Sequence, residues 1–227
     1  MSDTAKAERP SLGWRQRLVS LEAAAATGIG FAVLFVASVV LMRVGLPDWD
    51  ASEAEIESAL QDQDAQRTVL LGYSLSPFAA IAFLWFVAVL RRRIPAQDRF
   101  VSTVFVSGGS VFVTLYLVAA SLLGAPAYVQ LAQGTAPLDD AFLLGLQSVA
   151  YGLMFVIGTR IQVLVVLSAT AMGRYFGVFP RWLVVLGYLV ALIQVVNVAL
   201  FDLMVFAFPV WVVAVSVVLL VKGKETD

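Results

Sequence analysis

Apolar runs dominate this chain, and their length decides what they are. A bilayer core about 30 Å thick takes about 20 residues of helix. Runs of that length, bounded by charge, Pro or Gly, recur six times: Ala24–Leu46, Thr68–Leu90, Phe100–Gly124, Phe142–Met172, Trp182–Leu200 and Leu203–Val221. The last two form one apolar stretch broken by Gln194, Asn197, Asp202 and Pro209. As a single helix at about 1.5 Å per residue it would be about 60 Å long, twice the membrane, so a hairpin turn is expected near Asp202. The predicted fold is all-α, a polytopic transmembrane bundle of six spans over residues 24–221, with tails at 1–23 and 222–227.

The charges divide this pattern into two sides. Lys6, Arg9, Arg15 and Arg17 precede the first span, and Arg91, Arg92, Arg93 and Arg99 fill the second connection. Arg174 and Arg181 fill the fourth, and Lys222 and Lys224 follow the sixth. Twelve of the 15 basic residues thus fall on one side of a six-span layout, leaving Arg43 and Arg67 near the other side and Arg160 inside. Cytoplasmic loops retain positive charge, so both termini are expected to be cytoplasmic. The opposite loops are acidic, above all the 47–67 segment with Asp48, Asp50, Glu53, Glu55, Glu57, Asp62 and Asp64. Within it Ser52 and Glu55 have capping-box spacing, with Ile56 and Leu60 on one face, which predicts a short acidic helix. Trp14, Leu18 and Leu21 recur at helical spacing and are read either as an interfacial helix leading into the first span or as part of a solvated basic tail; the span is read as retained because its apolar run exceeds a signal-peptide core.

Composition narrows the chemistry. The chain is 60% hydrophobic and 14% charged, with no Cys and no His, and its mean hydropathy is +0.89. Soluble domains carry about 25% charged residues. Without His or Cys there is no thiolate nucleophile, imidazole base, haem-ligating histidine or ordinary zinc site. No Gly-x-Gly-Asp motif of an intramembrane aspartyl protease is present, nor an Asp-rich lipid-transferase motif. The expectation is a non-enzymatic integral membrane protein with no cofactor and no metal. The alternative is a small-solute or anion transporter or channel that uses an interior arginine.

That arginine lies in Met154–Leu167, "MFVIGTRIQVLVVL". Arg160 is about 12 residues, or about 18 Å, from the cytoplasmic end of its span, too deep for a simple snorkel. A charge at that depth costs about 2.5–3.5 kcal/mol on insertion scales and marks a functional hypothesis. Helical side chains lean toward the helix N-terminus, which directs Arg160 outward toward the level of Asn197, with Gln194 one turn inward and Asp202 further out. Thr103, Ser107, Ser110, Thr114 and Ser121 share one face of the third span, and Ser110 and Thr114 lie at the depth of Arg160. The candidate polar cluster is Arg160, Asn197, Gln194, Asp202, Ser110 and Thr114, either a structural hub or a ligand site. The hydroxyl face as a whole, including Gly108 and Gly109, and a small-residue seam at Gly145, Ser148, Gly152 and Thr159 are read as helix-packing surfaces. Pro77 and Pro209 each remove a backbone donor inside a span and free a carbonyl that a neighbour must satisfy.

The segment Gly173–Val198, and within it "GVFPRWLVVLGYLVAL", resembles a pattern in uncharacterised bacterial multi-span membrane proteins of about this length. The resemblance implies a bacterial plasma-membrane location and membrane lipids as partners, with no nucleic acid; it implies no activity. Pro180 suits the first turn of the fifth span, and Arg181 and Trp182 suit an interfacial anchor.

Overall fold

Asp62 shows how one span begins. Its carboxylate accepts the backbone N–H groups of Asp64 (2.9 Å) and Ala65 (3.3 Å), capping a helix that then runs from Gln63 to Arg92. The apolar pattern alone begins at Thr68; the capped polar turn explains the earlier start. The computed structural model describes residues 21–47, 58, 62–92, 99–133, 140–196 and 205–224, and among these no strand occurs.

The helices are α1 (Leu21–Gly45), α2 (Gln63–Arg92), α3 (Arg99–Gln133), α4 (Asp140–Tyr151), α5 (Thr159–Tyr175), α6 (Arg181–Val196) and α7 (Ala207–Lys224). A π-helical segment, Gly152–Gly158, joins α4 to α5 without a break, so the described residues form six helices. Four are long and apolar enough to cross a membrane: Ala25–Gly45, Gln63–Arg92, Phe100–Ala132 and Ala141–Tyr175. The helices Arg181–Val196 and Ala207–Val221 are apolar and shorter. The turn expected near Asp202 and the interfacial turn around Trp14 and Leu18 lie outside the described residues, as does the acidic helix around Ser52 and Leu60 apart from Ser58, which is helical and whose carbonyl accepts from the N–H of Asp62 at 3.1 Å.

The helices pack in chain order around a ring: α1 against α2, α2 against α3, α3 against α4 and α5, α5 against α6, and α7 back against α1, with a lighter contact between α6 and α7. Phe31 (α1), Phe83 (α2), Phe112 (α3) and Phe208 (α7) meet inside. All six pairs among these four rings have centroids between 4.7 Å (Phe31 with Phe83) and 6.4 Å (Phe31 with Phe112). Each is fully or almost fully buried, and Phe35, Phe86, Tyr116 and Trp211 extend the cluster. Their tilted and edge-on geometries suit aromatic quadrupoles. Leu71, Phe78, Val185 and Val210 are each three-fifths or more exposed, so the exterior is apolar as well, as suits helices that face hydrocarbon.

Close approach holds the α1–α2 pair. Gly72 carries only hydrogen where a Cβ would meet Met42 and the Ser38 carbonyl at 2.8 Å, and Ser38 Oγ donates to Gly72 O at 2.7 Å. At the other end of α2, Arg91 Nε donates to Ser102 Oγ of α3 at 2.9 Å. Gly124 does not end α3, which continues through Pro126 to Gln133; there the glycine makes room for Tyr73, whose side chain occupies the place of a Cβ.

The resemblance segment is a helix–turn–helix corner. Gly177, with φ 67°, turns the chain out of α5, and the N–H of Phe176 donates to Met172 O at 3.0 Å. Phe179 then folds onto Gly173, where a Cβ would collide with its ring, and its N–H reaches Gly173 O at 3.0 Å. Pro180 immediately precedes α6, and its carbonyl accepts from Leu183 and Val184 at 3.0 and 3.2 Å.

The two prolines have separate outcomes. Pro77 lies inside α2, and Ser76 Oγ donates at 2.7 Å to Tyr73 O, the carbonyl four residues before the proline that has lost its backbone donor. Pro209 lies in the first turn of α7, after a short 3₁₀ turn at 205–206. An N–H there has no partner within its own helix, so Pro209 frees no carbonyl; the expectation of a mid-span break is corrected.

Candidate functional site

Arg160 sits on the second residue of α5, directly after the π-helical turn. Glycines stand at both ends of that turn, and at Gly158 a Cβ would lie 2.9 Å from Leu153 O, five residues back, so the wide turn itself disfavours a side chain there. Thr159 Oγ1, buried, lies 2.7 Å from Phe155 O and 3.2 Å from Val156 O. Arg160 is half-buried, and its Nη1 donates to Val156 O at 3.0 Å, Phe155 O at 3.3 Å and Thr159 Oγ1 at 2.9 Å. The side chain therefore leans toward its helix N-terminus, as Cβ geometry dictates, and these three bonds stay within its own helix. Guanidinium and hydroxyl together serve the carbonyls of the π turn.

The other members of the expected cluster are distributed differently. Gln194 does not bond Arg160: its Nε2 donates to Gln162 Oε1 at 2.6 Å, and both glutamines are fully buried between α5 and α6. Two residues on a helix are about 200° apart, so it is Gln162, not Arg160, that faces the fifth span. Ser110 and Thr114 are exposed, and each hydroxyl donates at 3.0 Å to a carbonyl of its own helix, Val106 O and Ser110 O. Asn197 and Asp202 lie outside the described residues. The structure thus separates Arg160 from Gln194, Ser110 and Thr114.

The packing readings change as well. Thr103 and Ser107 are exposed along with Ser110 and Thr114, so the third span's hydroxyl face points away from the bundle. Gly145 and Ser148 are exposed, and a Cβ on Gly145 or Gly152 would meet nothing within 4 Å; only Thr159 of that seam is buried. The packing falls instead to the glycines beside the hydroxyl face: Gly108 lies against Leu164 and Val165 of α5 and Gly109 against Phe83 and Val87 of α2, while the exposed hydroxyls and the exposed Gly145 and Ser148 take no part in it among the described residues.

The Gln162–Gln194 pair leaves a residue of unmet polarity. Gln162 Nε2 and Gln194 Oε1 have no hydrogen-bond partner among the described residues, and neither does the buried Thr170 Oγ1, which fills the space beside Gly187 on α6. Gln147 donates through Nε2 to Pro47 O at 3.1 Å, tying α4 to the end of α1.

A cavity of about 280 Å³ lies toward the C-terminal end of α1. Val39, Met42, Ala119, Leu123, Met154 and Phe206 contribute to its walls, and Arg43 is the charged residue among its lining. It separates α1 from the π segment, which share few contacts. Neither Arg160 nor Gln194 nor Ser110 lines it. Among the described residues no three acidic, His or Cys side chains gather as a metal site would need.

Comparison with protein-family models, with curated proteins and with solved structures finds no match to this chain.

Proposed function

We propose that this chain is a non-catalytic integral protein of a bacterial plasma membrane, crossing it six times with both ends in the cytoplasm. The reading is carried by apolar residues on both surfaces: phenylalanines close the interior while large aliphatic and aromatic side chains such as Leu71, Phe78 and Val185 cover the exterior. The sequence adds the segregation of twelve basic residues to one side and the absence of His and Cys. Anion transport through Arg160 receives less support. That reading needs the guanidinium in a water-filled path, whereas Arg160 donates along its own helix and the junction of α1, α2, α3 and α7 is filled by aromatic rings.

Because the chain contains no Cys, single cysteines test the topology without altering the background. In intact cells, Ser58→Cys is expected to react with a membrane-impermeant maleimide. Gly177→Cys is expected to react only after permeabilisation. Equal labelling of both in intact cells would overturn the six-crossing arrangement.

A further inference from the structure

We propose that the continuous helix from Asp140 to Tyr175 has two registers, and that the cavity beside its π segment is the space the second register fills. A π turn carries one residue more than an α turn. Closing it with α5 held in place turns α4 by about 100° and advances it by about 1.5 Å, so each side chain before the turn passes its place to the next residue in the chain. Tyr151 then takes the place of Ala150, and within the segment Phe155 moves toward that of Met154. All four line the cavity of about 280 Å³, and in both exchanges the incoming side chain is the larger. Ala150 is almost fully buried, so a tyrosine ring in its place has that space to enter. Apolar space left empty forfeits dispersion contacts, which the second register recovers.

Three features hold the register observed. Gly158 admits the wide turn, since a Cβ there would lie 2.9 Å from Leu153 O; in an α turn that carbonyl bonds one residue earlier and the obstruction goes. Thr159 and Arg160 serve the carbonyls of Phe155 and Val156. Gln147 latches α4 to Pro47 O at 3.1 Å, and in the second register the shorter Ser148 occupies its place and cannot make that bond. Nothing on the outer face of α4 opposes the turn. The exposed places of Gly145, Ser148 and Val149 pass to Leu146, Val149 and Ala150, which are apolar, and a Cβ on Gly145 meets no neighbour.

The test is the distance between two spin labels on the full chain in lipid nanodiscs, attached at Leu71→Cys on α2 and Val149→Cys on α4, both exposed in a chain that has no Cys of its own. Gly158→Ala is expected to move the main distance by several ångströms, out of a chord of about 8 Å for a 100° turn at side-chain radius. Gln147→Ser combined with Ser148→Gln carries the latch one residue on, so that it reaches Pro47 in the second register, and should move the distance in the same direction. Gly145→Ala should leave it unchanged. A folded Gly158→Ala protein with the wild-type distance overturns the second register. Should that variant fail to fold, the latch-transfer pair decides, and an unmoved distance there overturns it. An equal shift with Gly145→Ala also overturns it, because the cause would then be a general loosening of α4 rather than closure of the π turn.

Discussion

The bundle holds itself together in two ways. Where α1, α2, α3 and α7 meet, packing of large side chains dominates: four phenylalanines touch one another, Gly72 lets two helices close, and Ser38 bonds across the gap. Between α5 and α6 the contact includes a polar pair that uses half its capacity, and a buried threonine hydroxyl without a partner, among the described residues. In lipid the hydrophobic effect does not drive helices together, so cohesion comes from close packing and from interhelical hydrogen bonds. One half of this molecule relies chiefly on packing, with Ser38 and Arg91 bonding across it; the other puts a buried amide pair at the helix contact, beside a π turn whose threonine and arginine bond within their own helix.

The sharpest way to break the comparison is to remove a ring. Phe112→Ala deletes a side chain that contacts the other three members of the tetrad, and a large-to-small change of this kind costs about 3–5 kcal/mol. Unfolding in mixed micelles with rising dodecyl sulfate should show this as the largest loss in the series. A loss no greater than that of an exposed Phe78→Ala would mean that the rings are not packed as described.

Next in size is the glutamine pair, where the sign of the effect matters more than its magnitude. Gln162→Leu alone strands Gln194 with neither amide atom bonded to its neighbour and should cost about 1–3 kcal/mol. The double variant Gln162→Leu with Gln194→Leu removes both polar groups together and should recover most of that loss. Additive costs in the same titration would show that the pair does not act as a unit.

Much of this was readable from the sequence, in a graded way. The apolar runs located all six helices, because run length and charge are properties of the chain itself. Their ends shifted where local chemistry intervened, as with the Asp62 cap and the glycine at 124 that serves Tyr73 rather than stopping α3. The lean of Arg160 followed from helix geometry and holds. Its pairing with Gln194 did not follow: Gln162, two residues on, takes that place, and the wide turn at Gly152–Gly158 shifts the register of everything after it. Spacing correctly placed Ser110 and Thr114 on one face but could not say which way that face points. The phenylalanine tetrad was missed altogether: each member sits mid-run in its own span, and nothing in a single span's periodicity tells which faces will converge.

The smallest expected effect tests the π turn. Thr159 and Arg160 reach the same two carbonyls, those of Phe155 and Val156, and also bond each other at 2.9 Å. Groups that share acceptors do not contribute independently, so a double-mutant cycle of Thr159→Val and Arg160→Gln should show a coupling of about 0.5–1 kcal/mol. Each single variant leaves the other group to serve the same carbonyls, and only the double variant leaves them without either. The combined loss should therefore exceed the sum of the two single losses. If the losses simply add, the two side chains act on separate parts of the helix, and the wide turn is maintained by Gly158 and the surrounding packing rather than by the polar groups that follow it.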